Sequence, residues 1–205
     1  MTRSRSALVV ALVLALPLAA AAAAPLPAPP PTDIPAGHYV LDKRQSSVIA
    51  RVEHLHVALA TMRFDNFDGS FDYDPAHPEN ARVIASVDPT SLDVNGDWAK
   101  EWEEDFLSAS KFPKATFVST QIQKGPGGQG TMTGNLTLMG VTRPVTFTVT
   151  LIGAAHEIVP LPFGRNAVGL EATATIKRSD FGSTHMSGLV GDDVMLLIDA
   201  EFARQ

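Results

Sequence analysis

Apolar and polar side chains alternate with a period of two over most of this chain, and that alternation narrows its fold more than any other feature. Val145, Phe147, Val149 and Leu151 are interleaved with Thr146, Thr148 and Thr150. Val168, Leu170, Ala172, Ala174 and Ile176 alternate with Glu171, Thr173 and Thr175. Met132, Leu136 and Leu138 oppose Thr131, Thr133, Asn135 and Thr137. Val48, Ala50, Val52 and His54 share a face, as do Phe67, Phe71 and Tyr73, and Val83, Ala85 and Val87. Val194, Leu196 and Ile198 form a less clean set, because Met195 and Leu197 on the other face are also apolar. Successive side chains of a strand point to opposite faces, so each run predicts a strand with one greasy face.

Turn residues separate the runs. Asp74-Pro75 and His77-Pro78 close one strand, and Gly125-Pro126-Gly127-Gly128 marks a hairpin tip. Met139-Gly140 makes a tight corner, and Gly191-Asp192-Asp193 reads as a further tip. One stretch has helical spacing, from about Asp97 to Leu107, where Trp98, Trp102 and Phe106 recur at i, i+4 and i+8 among acidic residues. The expectation is an all-β domain of about eight to ten strands with one short helix. An antiparallel barrel is favoured over a sandwich, because closure removes the sheet edges that few of these strands protect with Lys or Pro.

The N-terminus differs in kind. Arg3 and Arg5 precede an Ala/Leu/Val run from Ala7 to Leu18, and small residues follow from Ala19 to Ala24. Residues 1–24 therefore read as a secretory signal peptide rather than a retained anchor, with cleavage near Ala22 to Ala24. Residues 25–36 form a Pro/Ala-rich tether, and residues 37–205 form the folded domain. Export points to the periplasm, with secretion as the alternative. No stable membrane span is expected after cleavage. The chain has no Cys, which removes disulfides and thiolate metal sites. Its net charge of -6, with no basic stripe, argues against a nucleic-acid partner.

Several ordered motifs resemble the YceI-like family. Gly134-Asn135-Leu136-Thr137-Leu138-Met139-Gly140-Val141-Thr142-Arg143-Pro144-Val145 is similar to that family's most specific signature. Phe64-Asp65-Asn66-Phe67-Asp68-Gly69-Ser70-Phe71, Asp105-Phe106-Leu107, Phe112-Pro113-Lys114-Ala115-Thr116-Phe117 and the segment from Gly169 to Gly182 agree in order. The resemblance implies a lipocalin-like barrel, exported and not catalytic, that binds a polyisoprenoid or other long amphiphile inside. An isoprenoid lipid or quinone is the implied bound molecule. The chain is to act as carrier or sequestering protein, with no cofactor otherwise; a homodimer is one option for its assembly. One departure stands out: a basic, His-containing motif of many relatives is replaced here by Gly96 to Glu104, which is acidic. Glu101, Glu103, Glu104 and Asp105 would repel an anionic head, so a neutral quinone, alcohol or amide head is easier to reconcile.

The inward faces supply the candidate ligand-binding residues: Val48, Ala50, Val52, His54, Phe67, Phe71, Leu136, Leu138, Phe147, Val149, Leu170, Ala172, Ile176, Leu196 and Ile198. Taken alone, these residues favour a solid core, since small barrels are often filled by their side chains. Small inward residues (Ala50, Ala172, Ala174 and Gly134) tilt the reading toward a void, and the resemblance tilts it further. His54 is either a contact to a ligand head or a core His bonded to backbone. His54 and His56 could be half of a metal site only if His185 arrived by folding. Trp98 and Trp102 either dock the helix on the barrel, the preferred reading, or form a lid. The Glu101 to Asp105 run reads as a solvated face, and Arg143 and Arg178 as surface charges or strand-end salt bridges. Neither Arg178-Ser179-Asp180 nor Ser183-Thr184-His185 shows a nucleophile elbow, so no catalytic residue is assigned. The rivals to a lipid carrier are an interaction module with a solid barrel and, further behind, an enzyme using the pocket.

Overall fold

The threonine-laced runs pair through their backbones, and the pairing closes on itself. The computed structural model describes residues 34–94, 96–155 and 166–205. The expected signal peptide and most of the expected tether lie outside the described residues. The strands are β1 (Gly37–Leu41), β2 (Ser47–His54), β3 (Ala58–Phe64), β4 (Phe67–Tyr73), β5 (Arg82–Val87), β6 (Leu92–Asp93), β7 (Ala115–Lys124), β8 (Gln129–Leu138), β9 (Val141–Ala155), β10 (Ala167–Lys177) and β11 (Val190–Arg204). One helix, α1 (Ala99–Leu107), follows β6.

Every strand pairing is antiparallel, and the ring β1–β4–β5–β7–β8–β9–β10–β11 returns to β1. The expected antiparallel barrel with one short helix is the observed fold. Strand number exceeds the expected range because β1 and β2 share one edge of β11. Leu41 faces Phe202 on its C-terminal part, and Ala50 faces Leu196 further along. A 3-10 turn over Lys43–Gln45, capped by the Asp42 carboxylate accepting from Arg44 N–H, breaks what would otherwise be one long strand. β2 then turns back into β3, which carries the two-residue β6.

Two β-bulges keep apolar residues inside where simple alternation would lose them. Between β9 and β10 the register slips, with Leu151 opposite Leu170 but Gly153 opposite Gly169. The skipped Ile152 points outward at 57% exposure, and Ala154 is buried. A second slip between Ser119 and Gln121 of β7 aligns Ile122 with Met132.

The β8–β9 corner is as expected: Met139 and Gly140 both take positive φ, as a two-residue hairpin turn requires. The reading of Gly191-Asp192-Asp193 as a hairpin tip is corrected. These residues lie inside β11, at an irregularity between Val190 and Val194. The chain reverses instead through a 3-10 turn, Arg178–Phe181, and the segment 182–189. Asp192 holds that turn, since its carboxylate accepts from both the N–H and the hydroxyl of Ser179 at 2.9 Å.

At one end of the barrel the interior is packed on the β1 side, while the cavity continues along the β7–β8 side. Tyr39 stacks on Phe71 with ring centroids 4.7 Å apart, and Phe71 meets Phe202 edge-on at 4.9 Å. Val168 and Ala154 complete that cluster. A second cluster, built on Phe117, Phe147, Ile176 and Phe181, lines the β7–β10 wall. Gly134 is required there: a Cβ would stand 2.4 Å from the Phe117 ring and 2.5 Å from the Val118 carbonyl oxygen.

Candidate ligand-binding site

Inside the ring the side chains do not meet. A cavity of about 1410 Å³ runs through the barrel, well above the roughly 300–1,000 Å³ of ordinary small-molecule sites. All of the residues expected from alternation line it: Val48, Ala50, Val52 and His54 from β2, Phe67 and Phe71 from β4, Leu136 and Leu138 from β8. Phe147 and Val149 come from β9, Leu170, Ala172 and Ile176 from β10, and Leu196 and Ile198 from β11. Several of these inward aliphatics, among them Val48, Leu136, Val149, Leu170 and Ile198, are only half-buried. They point away from solvent, so the surface they keep is surface facing the void. The solid-core reading is thereby overturned. β3 adds lining residues beyond those expected: Ala60, Met62 and Phe64 alternate with Thr61 and Arg63, and these three also line the cavity.

The helix closes over the end opposite the aromatic cluster. Trp98, Trp102, Phe106 and Leu107 line the cavity from α1 and the residue before it. Trp102 and Phe106 pack edge to face at 5.9 Å, while Trp98 is 60% exposed. Spacing of i, i+4 turns the aromatic face inward and leaves Glu101, Glu104 and Asp105 exposed. None of these acids lines the cavity, so the expected repulsion of an anionic head by them is corrected. Glu103 departs from the expected solvated face, as it is buried. A left-handed Ser108 ends the helix, and the backbone there caps Glu103 and Glu104 carbonyls.

Arg178 is the main correction. It is neither surface charge nor salt bridge but 94% buried, with 6% of its area exposed. Its guanidinium donates to four backbone carbonyls: Nε to Gly191 at 2.9 Å, Nη1 to Ser183 at 3.0 Å and His185 at 2.8 Å, and Nη2 to Val190 at 3.0 Å. It thereby ties the 183–191 segment to the barrel, and it sits 5.7 Å from the centre of the Phe106 ring. Arg178 and Ser183 both line the cavity. Sequence offered one signal, an Arg directly after an alternating strand, but nothing to say that loop carbonyls would fold around it. Arg143 is exposed, as expected.

The three histidines part company. His54 lines the cavity. His56 sits in the β2–β3 turn with positive φ, outside the barrel, where Nδ1 contacts the Glu53 carboxylate and Nε2 lies 3.3 Å from the Gly188 carbonyl. The Glu53 hydrogen bond holds the His56 imidazole above its ordinary pKa. His185 lies 3.5 Å from Asp105 of α1 and packs its ring on Phe106. Among the described residues no three metal-ligating side chains converge. Also among the described residues, no helix is long and apolar enough to cross a membrane.

Comparison with known proteins gives a consistent answer. The model of the YceI-like domain matches residues 39–202. A UPF0312 protein of Pseudomonas aeruginosa is 38% identical over 174 residues, covering 83% of this chain and 88% of the relative. Protein YceI of Salmonella newport is 36% identical over the same shares. The crystal structure of a Campylobacter jejuni YceI protein superposes with a TM-score of 0.64 at 27% identity, covering 75% of this chain and 90% of that one. A polyisoprenoid binding domain from Saccharophagus degradans shares the fold, with a TM-score of 0.59 at 16% identity over 82% of this chain and 98% of that one. With its signature stretch on the β8–β9 hairpin and its hollow antiparallel barrel, this chain belongs to the YceI-like family.

Proposed function

We propose that this protein holds one long apolar chain, isoprenoid or acyl, inside its barrel, as a periplasmic carrier or sequestering protein. The observation that carries the reading is the cavity itself: a void of about 1410 Å³ whose wall is mainly apolar, with Val, Leu, Ile, Ala, Met and Phe predominating. A wall of that kind offers a flexible hydrocarbon only removal from water. That is enough, because each buried CH₂ contributes about 0.8 kcal/mol. It has little to offer a polar metabolite, which would leave its hydrogen bonds unmade. The lining of the void reaches from Trp102 and Phe106 to Phe71 and Phe202, which favours a chain over a compact ligand. A polyisoprenoid is one chain of suitable character, and it is what the Saccharophagus domain of the same fold is named for. The reading assigns no catalytic step; holding a water-insoluble chain requires none. Export rests on the n-region, apolar run and small-residue tract of residues 1–24.

Native mass spectrometry of the mature protein purified from the cell envelope, followed by organic extraction, tests this reading. The expected result is a retained isoprenoid or acyl species, absent from an Ala172→Phe variant whose added ring occupies the void. Repeated recovery of empty protein, together with no uptake of any added long-chain lipid, would sink it. Fractionation tests export separately: the mature protein, lacking residues 1–24, is expected in the periplasmic fraction.

A further inference from the structure

One corner of the greasy cavity is polar. Arg178, His54 and Ser183 all line it near α1. Val190 joins two of them, since it pairs with His54 across the β2–β11 ladder while its carbonyl accepts from Arg178 Nη2. The Arg178 guanidinium is buried with no carboxylate within ion-pair distance among the described residues. Asp192, which feels the charge of Arg178, has its carboxylate held by the N–H and hydroxyl of Ser179. Four carbonyl dipoles solvate the cation, yet they bring no full negative charge. Four of its five N–H groups are spent, which leaves one on Nη2. The His54 ring, half-buried on the cavity wall, has no protein hydrogen-bond partner among the described residues.

We infer that this corner receives the carboxylate head of a single-chain hydrocarbon acid, with the tail running toward the Tyr39–Phe71–Phe202 cluster. The inference rests on the carrier reading above and adds the head group, its chemistry and the direction of the chain. A buried charge without a counter-charge is costly, and a buried cation is relieved by an anion that can also hydrogen-bond. With one N–H free, the guanidinium offers a carboxylate its positive charge and a single charge-assisted hydrogen bond. His54, one strand away through Val190, adds a second polar group to the same wall. The exposed acids of α1 do not oppose this, because Glu101, Glu104 and Asp105 stand outside the cavity.

The test is a fluorescence titration of the mature protein with matched pairs: all-trans retinoic acid against all-trans retinol, and oleic acid against oleyl alcohol by displacement. It is run at about pH 8, where a free carboxyl is ionised. The acid of at least one pair is expected to bind roughly tenfold more tightly than its alcohol, a factor one charge-assisted hydrogen bond readily supplies. Which pair shows it separates an isoprenoid acid from a fatty acid. In Arg178→Gln and in His54→Leu, the acid is expected to lose more affinity than its alcohol, so that the roughly tenfold gap between them closes. Arg178 also anchors the 183–191 segment, so Arg178→Gln counts only if its thermal melt stays cooperative; His54→Leu removes no protein hydrogen bond and carries the test alone if it does not. Equal binding of acid and alcohol by the wild type overturns the head-group inference and leaves the carrier reading standing. So does a preference that survives in His54→Leu and in a folded Arg178→Gln. If neither member of either pair binds, the carrier reading itself falls.

Discussion

Two regions of the barrel interior, the aromatic cluster on the β1 side and the aliphatic wall of β8 to β11, are both apolar and behave in opposite ways. On the β1 side, Tyr39 is fully buried, and Phe71 and Phe202 are each 6% exposed, in mutual ring contact. Along the middle and toward α1, Leu136, Val149, Leu196 and Ile198 point just as firmly inward yet remain half-buried. Aromatic rings from three neighbouring strands meet one another and fill their part of the interior, whereas branched aliphatics of β8 to β11 reach only part of the way. Residue length across the barrel, rather than hydrophobicity, decides where this protein is solid and where it is hollow. Stability and binding capacity are thereby separated along one axis.

The largest expected effect probes that separation directly. Phe71→Ala removes a ring that touches two others and is expected to lower unfolding stability by about 3–5 kcal/mol. Leu196→Ala removes a side chain already bordered by empty space, so it forfeits fewer contacts. The expectation is about 1–2 kcal/mol, below the usual range for a buried Leu because the lost atoms had partners on one side only. Urea denaturation of both variants measures the difference. Equal losses would mean that the void is closed in solution and that the contrast between the two regions is wrong.

The β7–β8 pair gives the next effect. Gly134→Ala sets a methyl group against the Phe117 ring and, at 2.5 Å, against the Val118 carbonyl oxygen. The ring can rotate away, but the paired backbone of β7 cannot. A loss of about 1–3 kcal/mol is expected, as for other overpacked core sites. A double variant, Gly134→Ala with Phe117→Leu, sharpens the point. If it recovers most of the loss, the ring was the obstacle; if it does not, the backbone contact sets the cost.

Much of this architecture is legible in the sequence, for a physical reason. Alternation reports which side chains share a face, so the lining residues of β2, β8, β9 and β10 could be named before any coordinates. Whether those faces meet depends on barrel radius and on ring reach, which no local pattern encodes; the residues alone pointed to a filled interior. The bulge that turns Ile152 outward and Ala154 inward is equally silent, because two Gly residues, Gly153 and Gly169, mark it without specifying the slip. Arg178 was misread for the same reason. Burial of a cation depends on carbonyls from Ser183 to Gly191 that come together only in the fold. By contrast, the i, i+4, i+8 aromatics of α1 carried their orientation openly, and the acids fell outside the cavity as that spacing dictates.

The smallest expected effect lies at the rim of the α1 end, where the 183–191 segment crosses to the β2–β3 turn. There His56 bridges Glu53 and the Gly188 carbonyl, and Leu55 N–H donates to the Leu189 carbonyl at 2.7 Å. The pKa of His56 is raised in the fold, first by the Glu53 hydrogen bond and then by its charge. A raised pKa means that the folded state binds the proton more tightly than the unfolded chain does. The resulting stabilisation is fully present below the unfolded value of about 6.5 and is lost as pH rises through the higher folded value. His56 is fully exposed to solvent, so the effect is small and weakened by salt. The urea midpoint of the wild type is therefore expected to fall slightly between about pH 6 and 8, relative to His56→Gln, and most visibly at low ionic strength. Hydrogen exchange of the Leu189 and Leu55 amides locates the change: faster exchange confined to this rim, with the Tyr39–Phe71–Phe202 cluster unaffected, is what a hollow region loosened independently of a solid one requires. A pH-dependent loosening that reached Tyr39 equally would show the barrel responding as one body, and the division between its regions would not survive it.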